Sequence, residues 1–207
     1  MQRGKIIFLI VLIAIFLIIG WLVATKNPQL INIDHNIISY FDNLRFPALD
    51  TTMLAITKVG NPRYSFVLFL IFAIILIIKR KAVPFYIFTI ATILCSILPP
   101  ELKTFFERTR PTGGLLKLRD YSFPSGHATI SAVFLLSALF IFAPLIKNNL
   151  LKWLFITAST ILFTSVALSR IFLWVHWPSD VLAGFILGTI CYLLVDVMCC
   201  HKNENML

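Results

Sequence analysis

Residues 6–23 read Ile-Ile-Phe-Leu-Ile-Val-Leu-Ile-Ala-Ile-Phe-Leu-Ile-Ile-Gly-Trp-Leu-Val, with no charged side chain among them. An apolar run of this length is too long for a core strand, whereas a helix of about 20 residues crosses the hydrocarbon core of a bilayer. Further runs follow at 62–78, 82–98, 126–146, 151–172 and 178–198. The 207-residue chain is 59% hydrophobic and only 13% charged, too little charge to cover a soluble surface. Lipid is therefore the solvent for most of it. In lipid each backbone N–H and C=O must be satisfied internally, and runs this long do so as helices. The expected fold is all-α: a polytopic membrane protein with six transmembrane helices in a bundle plus short interfacial helices, forming one domain over 1–207. The first run follows Arg3 and Lys5 and could pass for a signal peptide, but no small-x-small cleavage pattern comes after it. A retained anchor helix is expected.

Between the first two runs, residues 32–58 are neither a span nor a disordered linker. Ile33, Ile37, Ile38, Phe41, Leu44 and Phe46 recur at near-helical spacing, with Asp34, Asn36, Asp42 and Asn43 between them. This is the pattern of an amphipathic helix in the interface. Met53, Leu54 and Ile56 suggest a second short helix before a Gly60-Asn61-Pro62 turn.

The net charge of +9 is distributed between the spans, with no basic face to grip a nucleic acid. The short connections carry Arg3, Lys5, Lys79 to Lys81, Lys147, Lys152 and Lys202, almost free of acids. By the positive-inside rule they face the cytoplasm, as do both termini. The longer connections mix their basic residues with Asp34, Asp42, Asp50, Glu101, Glu107 and Asp120, and face the other side. Cys95 and Cys191 lie within spans as small hydrophobes. Cys199 and Cys200 end the last span, where acylation is one reading.

The chemistry gathers on the non-cytoplasmic side, at the ends of the last four spans. Pro178 can open the sixth helix, which puts His176 just before it and Asp180 in its first turn. The carboxylate there can reach one imidazole nitrogen and leave the other free to attack phosphorus. A polar helix cap reads equally well from that spacing alone. Ser169-Arg170 precedes the histidine by six residues, and a planar guanidinium suits bidentate phosphate binding, although an arginine at a span end also snorkels. Pro124-Ser125-Gly126-His127 opens the fourth span: Ser125 is a natural N-cap, and Gly126 lets N–H groups approach an anion. Lys103 and Arg110 are seven residues apart and would share one face of a helix started by Pro99-Pro100 and stopped by Pro111. Glu107 and Arg108 are expected to point elsewhere, toward solvent.

Together these blocks resemble, spacings intact, the three-part signature of the type 2 phosphatidic acid phosphatase superfamily. Lys103, Arg110 and Pro111 match the first part, Pro124 to His127 the second, and Ser169, Arg170, His176 and Asp180 the third. The resemblance extends over about residues 60 to 195. It implies that His176 is the nucleophile, forming a phosphohistidine, with Asp180 orienting it. It implies that His127 protonates the leaving group, and that Lys103, Arg110, Arg170, Ser125 and the Gly126 N–H hold the phosphoryl oxygens. It also implies that no metal or other cofactor takes part. The implied substrate is a lipid phosphate or diphosphate, with undecaprenyl diphosphate first and phosphatidylglycerol phosphate, phosphatidic acid or lipid A as rivals. A lipid phosphotransferase would use the same site, and a lipid transporter with a vestigial site would show a broken motif, which this chain does not. Vanadate haloperoxidases share the signature but are soluble. The implied location is an integral membrane one, in a bacterial inner membrane, with the site facing the periplasm or exterior. Trp174 and Phe172 depart from the glycine and tyrosine common in relatives, which bears on the shape of the pocket.

Overall fold

The computed structural model describes residues 2–204, with side chains to residue 199, and all its regular structure is helical. The elements are α1 (Gln2–Ala24), α2 (Pro28–Asp42), α3 (Pro47–Ile56), a 3-10 turn (Thr57–Gly60), α4 (Pro62–Ile78), α5 (Ala82–Phe106), α6 (Gly126–Ser137), α7 (Asn149–Phe172) and α8 (Pro178–Glu204). α6 continues through a wider π turn (Ala138–Phe142) and a short 3-10 turn (Ala143–Leu145). Proline opens α2, α3, α4 and α8, at the position where its missing N–H has no intrahelical partner anyway. The side chains of Asn27, Ser125 and Asn148 cap α2, α6 and α7.

Gln2–Ala24, Ala82–Phe106, Gly126–Leu145, Asn149–Phe172 and Pro178–Cys199 are each long and apolar enough to cross a bilayer. The remaining expected span is α4, which begins at Pro62 as the sequence suggests. At 1.5 Å per residue it rises about 25 Å, short of a hydrocarbon core of about 30 Å. With Pro47–Gly60 it forms a pair bent by 55°, which together has the length and composition of one more span, broken or re-entrant. The segment read as interfacial thus leads directly into α4.

The expectation that Pro99-Pro100 would begin a separate helix is corrected. α5 runs unbroken through both prolines to Phe106 and ends where Glu107 turns left-handed, at φ 47°. In a membrane helix, neighbouring groups can satisfy carbonyls freed by proline, so the helix need not stop. Arg110 therefore lies in the loop beyond α5 and shares no helix face with Lys103.

α8 is the central helix, packed against α6, α1 and α5. Its Gly184 and Gly188 lie one turn apart on the face toward α6. A Cβ at Gly184 would stand 2.4 Å from the Ser125 carbonyl oxygen, and one at Gly188 2.2 Å from that of Thr129. Lipid supplies no hydrophobic drive between helices, so such close backbone approach is what holds them. Beside this contact Phe72, Phe88, Phe134 and Phe142 interlock, with centroids 4.4 Å apart for Phe72–Phe142 and 5.4 Å for Phe88–Phe134. Each such pair contributes about 0.5–1.5 kcal/mol beyond area burial. Ile7, Leu17, Ile78 and Phe140 point outward, as suits a lipid-facing surface. Cys95 and Cys191 are buried, while the side chain of Cys200 lies outside the described residues.

Lys5 pairs with Asp196 at 2.6 Å, so the start of α1 and the end of α8 share one end of the bundle. The helix order puts Lys79 to Lys81 and Lys147 there too. The opposite end collects the C-termini of α5 and α7, the N-termini of α6 and α8, and α2.

Candidate active site

The connection from α7 to α8 winds around one carbonyl: the N–H groups of Val175 and His176 both donate to Arg170 O at 3.2 Å. His176 is thereby held inside the protein, 2% exposed. Its Nε2 lies 3.2 Å from an Arg110 guanidinium nitrogen, and its Nδ1 lies 3.5 Å from Asp180 Oδ2. A guanidinium only donates, so Nε2 is the acceptor, unprotonated, and the ring hydrogen sits on Nδ1 toward Asp180. At 3.5 Å the Nδ1–Asp180 contact is an approach and not yet a hydrogen bond. Burial, then the charges of Arg110, Arg170 and Lys103, push the imidazole well below its ordinary pKa, so it is neutral near pH 7.

Lys103, in the last turn of α5, and Arg110 meet through one carboxylate. Asp120 takes the Lys103 ammonium on one oxygen and Arg110 on the other, the latter at 2.8 Å. Arg110 also donates to the carbonyls of Asp120, Tyr121 and Val175, which fixes its plane. Burial raises the Asp120 pKa, but the Lys103 hydrogen bond and charge, then Arg110, outweigh it and bring it to about 2. Arg170 is buried at the end of α7. It donates to Thr57 Oγ at 2.6 Å, while its Nε–H has no protein acceptor.

Ser125 caps α6 as read from the sequence, its Oγ accepting from the Ala128 N–H at 3.4 Å, and its own N–H donates to Asp180 O at 3.0 Å. The residue is fully buried. His127 stands in the first turn of α6, with Nε2 3.2 Å from Asn61 Oδ1. All eight residues singled out by the sequence thus gather at one end of the bundle, although Lys103 and Arg110 are joined by Asp120 and not by a shared helix.

The sequence reading missed a surrounding layer. Arg108 is not a solvent-facing residue: it donates to Asp180 Oδ1 at 2.5 Å, to Asp34 Oδ2 at 2.6 Å and to Ser179 Oγ at 2.7 Å. A helix from Pro99 to Arg110 would turn Arg108 toward solvent, but α5 ends at Phe106 and the left-handed turn at Glu107 redirects the chain inward. Asp34, read as part of a solvated helix face, is 1% exposed. Thr57 and Asn61 hold Arg170 and His127, and Gly60 presses against the His127 ring. The Gly60-Asn61-Pro62 turn was visible in the sequence, but nothing there said what it touches.

Trp174 takes φ 53°, a left-handed conformation that glycine adopts without strain, which accounts for glycine being common there. Trp174 packs against Gly113 and Gly114 in the loop that follows Arg110, and Phe172 packs against Phe41; neither lines the cavity beside the site. That cavity holds about 1040 Å³. Lys103, Asp120, Tyr121, Gly126 and His127 form its polar wall, and Phe66, Phe69, Ile93, Ile97 and Ile130 its apolar one.

The family model described as the PAP2 superfamily matches residues 5–203. The chain belongs to the PAP2 superfamily. It is a membrane-embedded phosphatase of that superfamily. It is 29% identical over 182 residues to phosphatidylglycerophosphatase B of Bacillus subtilis (strain 168), covering 87% of this chain and 89% of the relative. It is 28% identical over 196 residues to an undecaprenyl-diphosphatase of Sulfolobus acidocaldarius, covering 90% and 89%. Among solved structures it resembles the transmembrane PAP2 type phosphatidylglycerolphosphate phosphatase from Bacillus subtilis, with a TM-score of 0.81 at 27% identity over 96% of this chain and 97% of that one. It also resembles Aquifex aeolicus LpxE, with a TM-score of 0.63 at 25% identity over 77% and 92%.

Proposed function

We propose that the enzyme removes phosphate from a lipid phosphate or diphosphate through a phosphohistidine on His176, at the outer face of the membrane. The observation that carries this reading is the cavity, in which the Lys103 and His127 wall adjoins a phenylalanine- and isoleucine-lined space large enough for part of a lipid chain. A phosphate head group would meet Lys103, Arg110 and Arg170, including the unpartnered Arg170 Nε–H, and the start of α6 at Gly126.

His176 Nε2, carrying the lone pair, attacks phosphorus. The bond from phosphorus to the lipid oxygen breaks, and its electrons go to that oxygen, which takes a proton from His127, held as the imidazolium by the negative charge of the bound phosphate. The three cations stabilise the charge on the equatorial oxygens, and Asp180 meets the growing charge on the Nδ1–H side. Water then attacks phosphorus, losing its proton to the now neutral His127. The N–P bond breaks, its electron pair returns to Nε2, and inorganic phosphate leaves.

Relatives named for phosphatidylglycerophosphate and for undecaprenyl diphosphate both support a lipid anion as substrate. Polyprenyl diphosphate is our first candidate and phosphatidylglycerol phosphate the second. The outward orientation is supported by the basic turns at the far end of the bundle, which the positive-inside rule assigns to the cytoplasm.

The test is phosphate release from a panel of lipid phosphates by detergent-purified protein, with and without chelator, alongside His176→Ala. Release that persists with chelator and vanishes in His176→Ala is expected. Release that collapses with chelator, or survives in His176→Ala, refutes the mechanism.

A further inference from the structure

α2 packs on α7 and α8 through Ile38, which is buried against Ala167, Ile171 and Val181. That contact delivers Asp34 to the start of α8. Asp34 accepts from the Ser179 N–H at 2.9 Å and from the Ser179 hydroxyl at 2.6 Å, capping a helix that begins 144 residues later in the chain (178 − 34). Arg108 lies between Asp34 and Asp180 and donates to both. Its guanidinium also sits 5.6 Å from the centre of the Trp177 ring, whose Nε1–H donates to the Thr109 carbonyl and whose edge meets His35. The Trp177 N–H donates to Asp180 Oδ2, the oxygen facing His176.

We infer that Asp34 and Arg108 are positioning residues for the nucleophile. Arg108 aims the Asp180 carboxylate, and Asp34 supplies the negative charge that keeps Arg108 from neutralising it. The inference rests on His176 being the nucleophile. An Arg108–Asp180 pair alone is neutral overall and a weak partner for Nδ1–H. With Asp34 the group carries one net negative charge (two carboxylates, one guanidinium), with both carboxylates buried and the guanidinium at the edge of the solvent. That charge faces His176 from the α2 and α8 side. Lys103 on α5, Arg110 in the loop and Arg170 on α7 oppose it from the other sides, with Asp120 balancing the first two and His127 on α6 completing the ring of charged and titratable groups. A nearby negative charge favours the cationic imidazole that a phosphorylated histidine resembles.

The test is the acid limb of kcat/KM, which reports protonation of His176 in the free enzyme. Asp34→Asn leaves the group with net charge 0, wild type and the Asp34→Asn/Arg108→Gln double variant with −1, and Arg108→Gln with −2. The limb is expected at the lowest pH in Asp34→Asn, at similar pH in wild type and the double variant, and at the highest pH in Arg108→Gln. Successive steps should be about one pH unit, from charges several ångströms apart in a partly dry site. In Asp34→Asn kcat should fall while KM holds. Melting in detergent identifies which variants are folded, and the order of any two with different net charge is informative. Lost stability with the limb unmoved would mean a purely structural cap and overturns the inference, leaving the phosphatase reading intact. Absence of release by the wild-type enzyme overturns both.

Discussion

Gly60→Ala isolates the role of the turn before α4. The backbone at Gly60 is right-handed, so alanine meets no conformational strain, and the whole effect comes from its methyl group. That carbon would stand 2.4 Å from His127 Cδ2 and 2.9 Å from Val166 Cγ1, whereas ordinary contact begins at 3.4 Å. The larger overlap is with the imidazole, which borders the large cavity and so is the group that gives way. From 2.4 to 3.4 Å is a displacement of 1 Å, enough to break the 3.2 Å contact with Asn61. Misplacing a catalytic group by about 1 Å costs on the order of 100-fold in rate. Overpacking should also lower stability by about 1–3 kcal/mol. The assay is lipid phosphate release under saturating substrate, with detergent melting on the same samples. Gly4→Ala is the control, because nothing lies within 4 Å of its new carbon. A kcat for Gly60→Ala within twofold of wild type would refute the reasoning, since it would mean that His127 either does not need its place or does not act.

Asp120 holds Lys103 and Arg110 with a side chain that is 55% exposed, so a substrate phosphate must share or displace it. In Asp120→Asn, inorganic phosphate and vanadate should inhibit about two- to fivefold more tightly, the range of an exposed ion pair; weaker inhibition would instead make Asp120 a support for the two cations. Because its pKa is depressed to about 2, the stability it contributes is complete above the ordinary carboxylate value near 4 and fades as pH falls toward 2. Asp120 therefore adds no titration of its own between pH 5 and 8, and in Asp120→Asn the acid limb should move only as the lost negative charge beside Arg110 dictates, to lower pH; a limb moved to higher pH would contradict this. Gly188→Ala drives a methyl into the Thr129 carbonyl, so α8 must leave α6; melting should fall by the equivalent of about 1–3 kcal/mol, and an unchanged midpoint would argue against close α6–α8 contact.

The long uncharged runs decided the helical membrane fold, because an apolar run of about 20 residues without alternation spans lipid as a helix, whereas a barrel strand is about half as long. The spacings within each signature block set which candidate residues meet locally, since His176 and Asp180 are brought together by a single turn at the start of α8 and Ser125 by its own cap. These are local matters, and the sequence by itself determined them. The path of α5 beyond Pro99-Pro100 was not legible, because whether a proline ends a helix depends on what surrounds its freed carbonyls. Nor was the identity of Arg108 as an inward residue, which depends on the turn at Glu107. Only the tertiary structure decided which residues hold the proposed catalytic groups in place. Asp34, Thr57, Gly60 and Asn61 act on partners tens of residues or more away in the chain, at positions set by how α2 and the turn before α4 pack on α6, α7 and α8. A segment that reads as an amphipathic helix, half wet and half greasy, thus delivers a buried carboxylate to the site, because a third partner, Arg108, was waiting there to receive its charge.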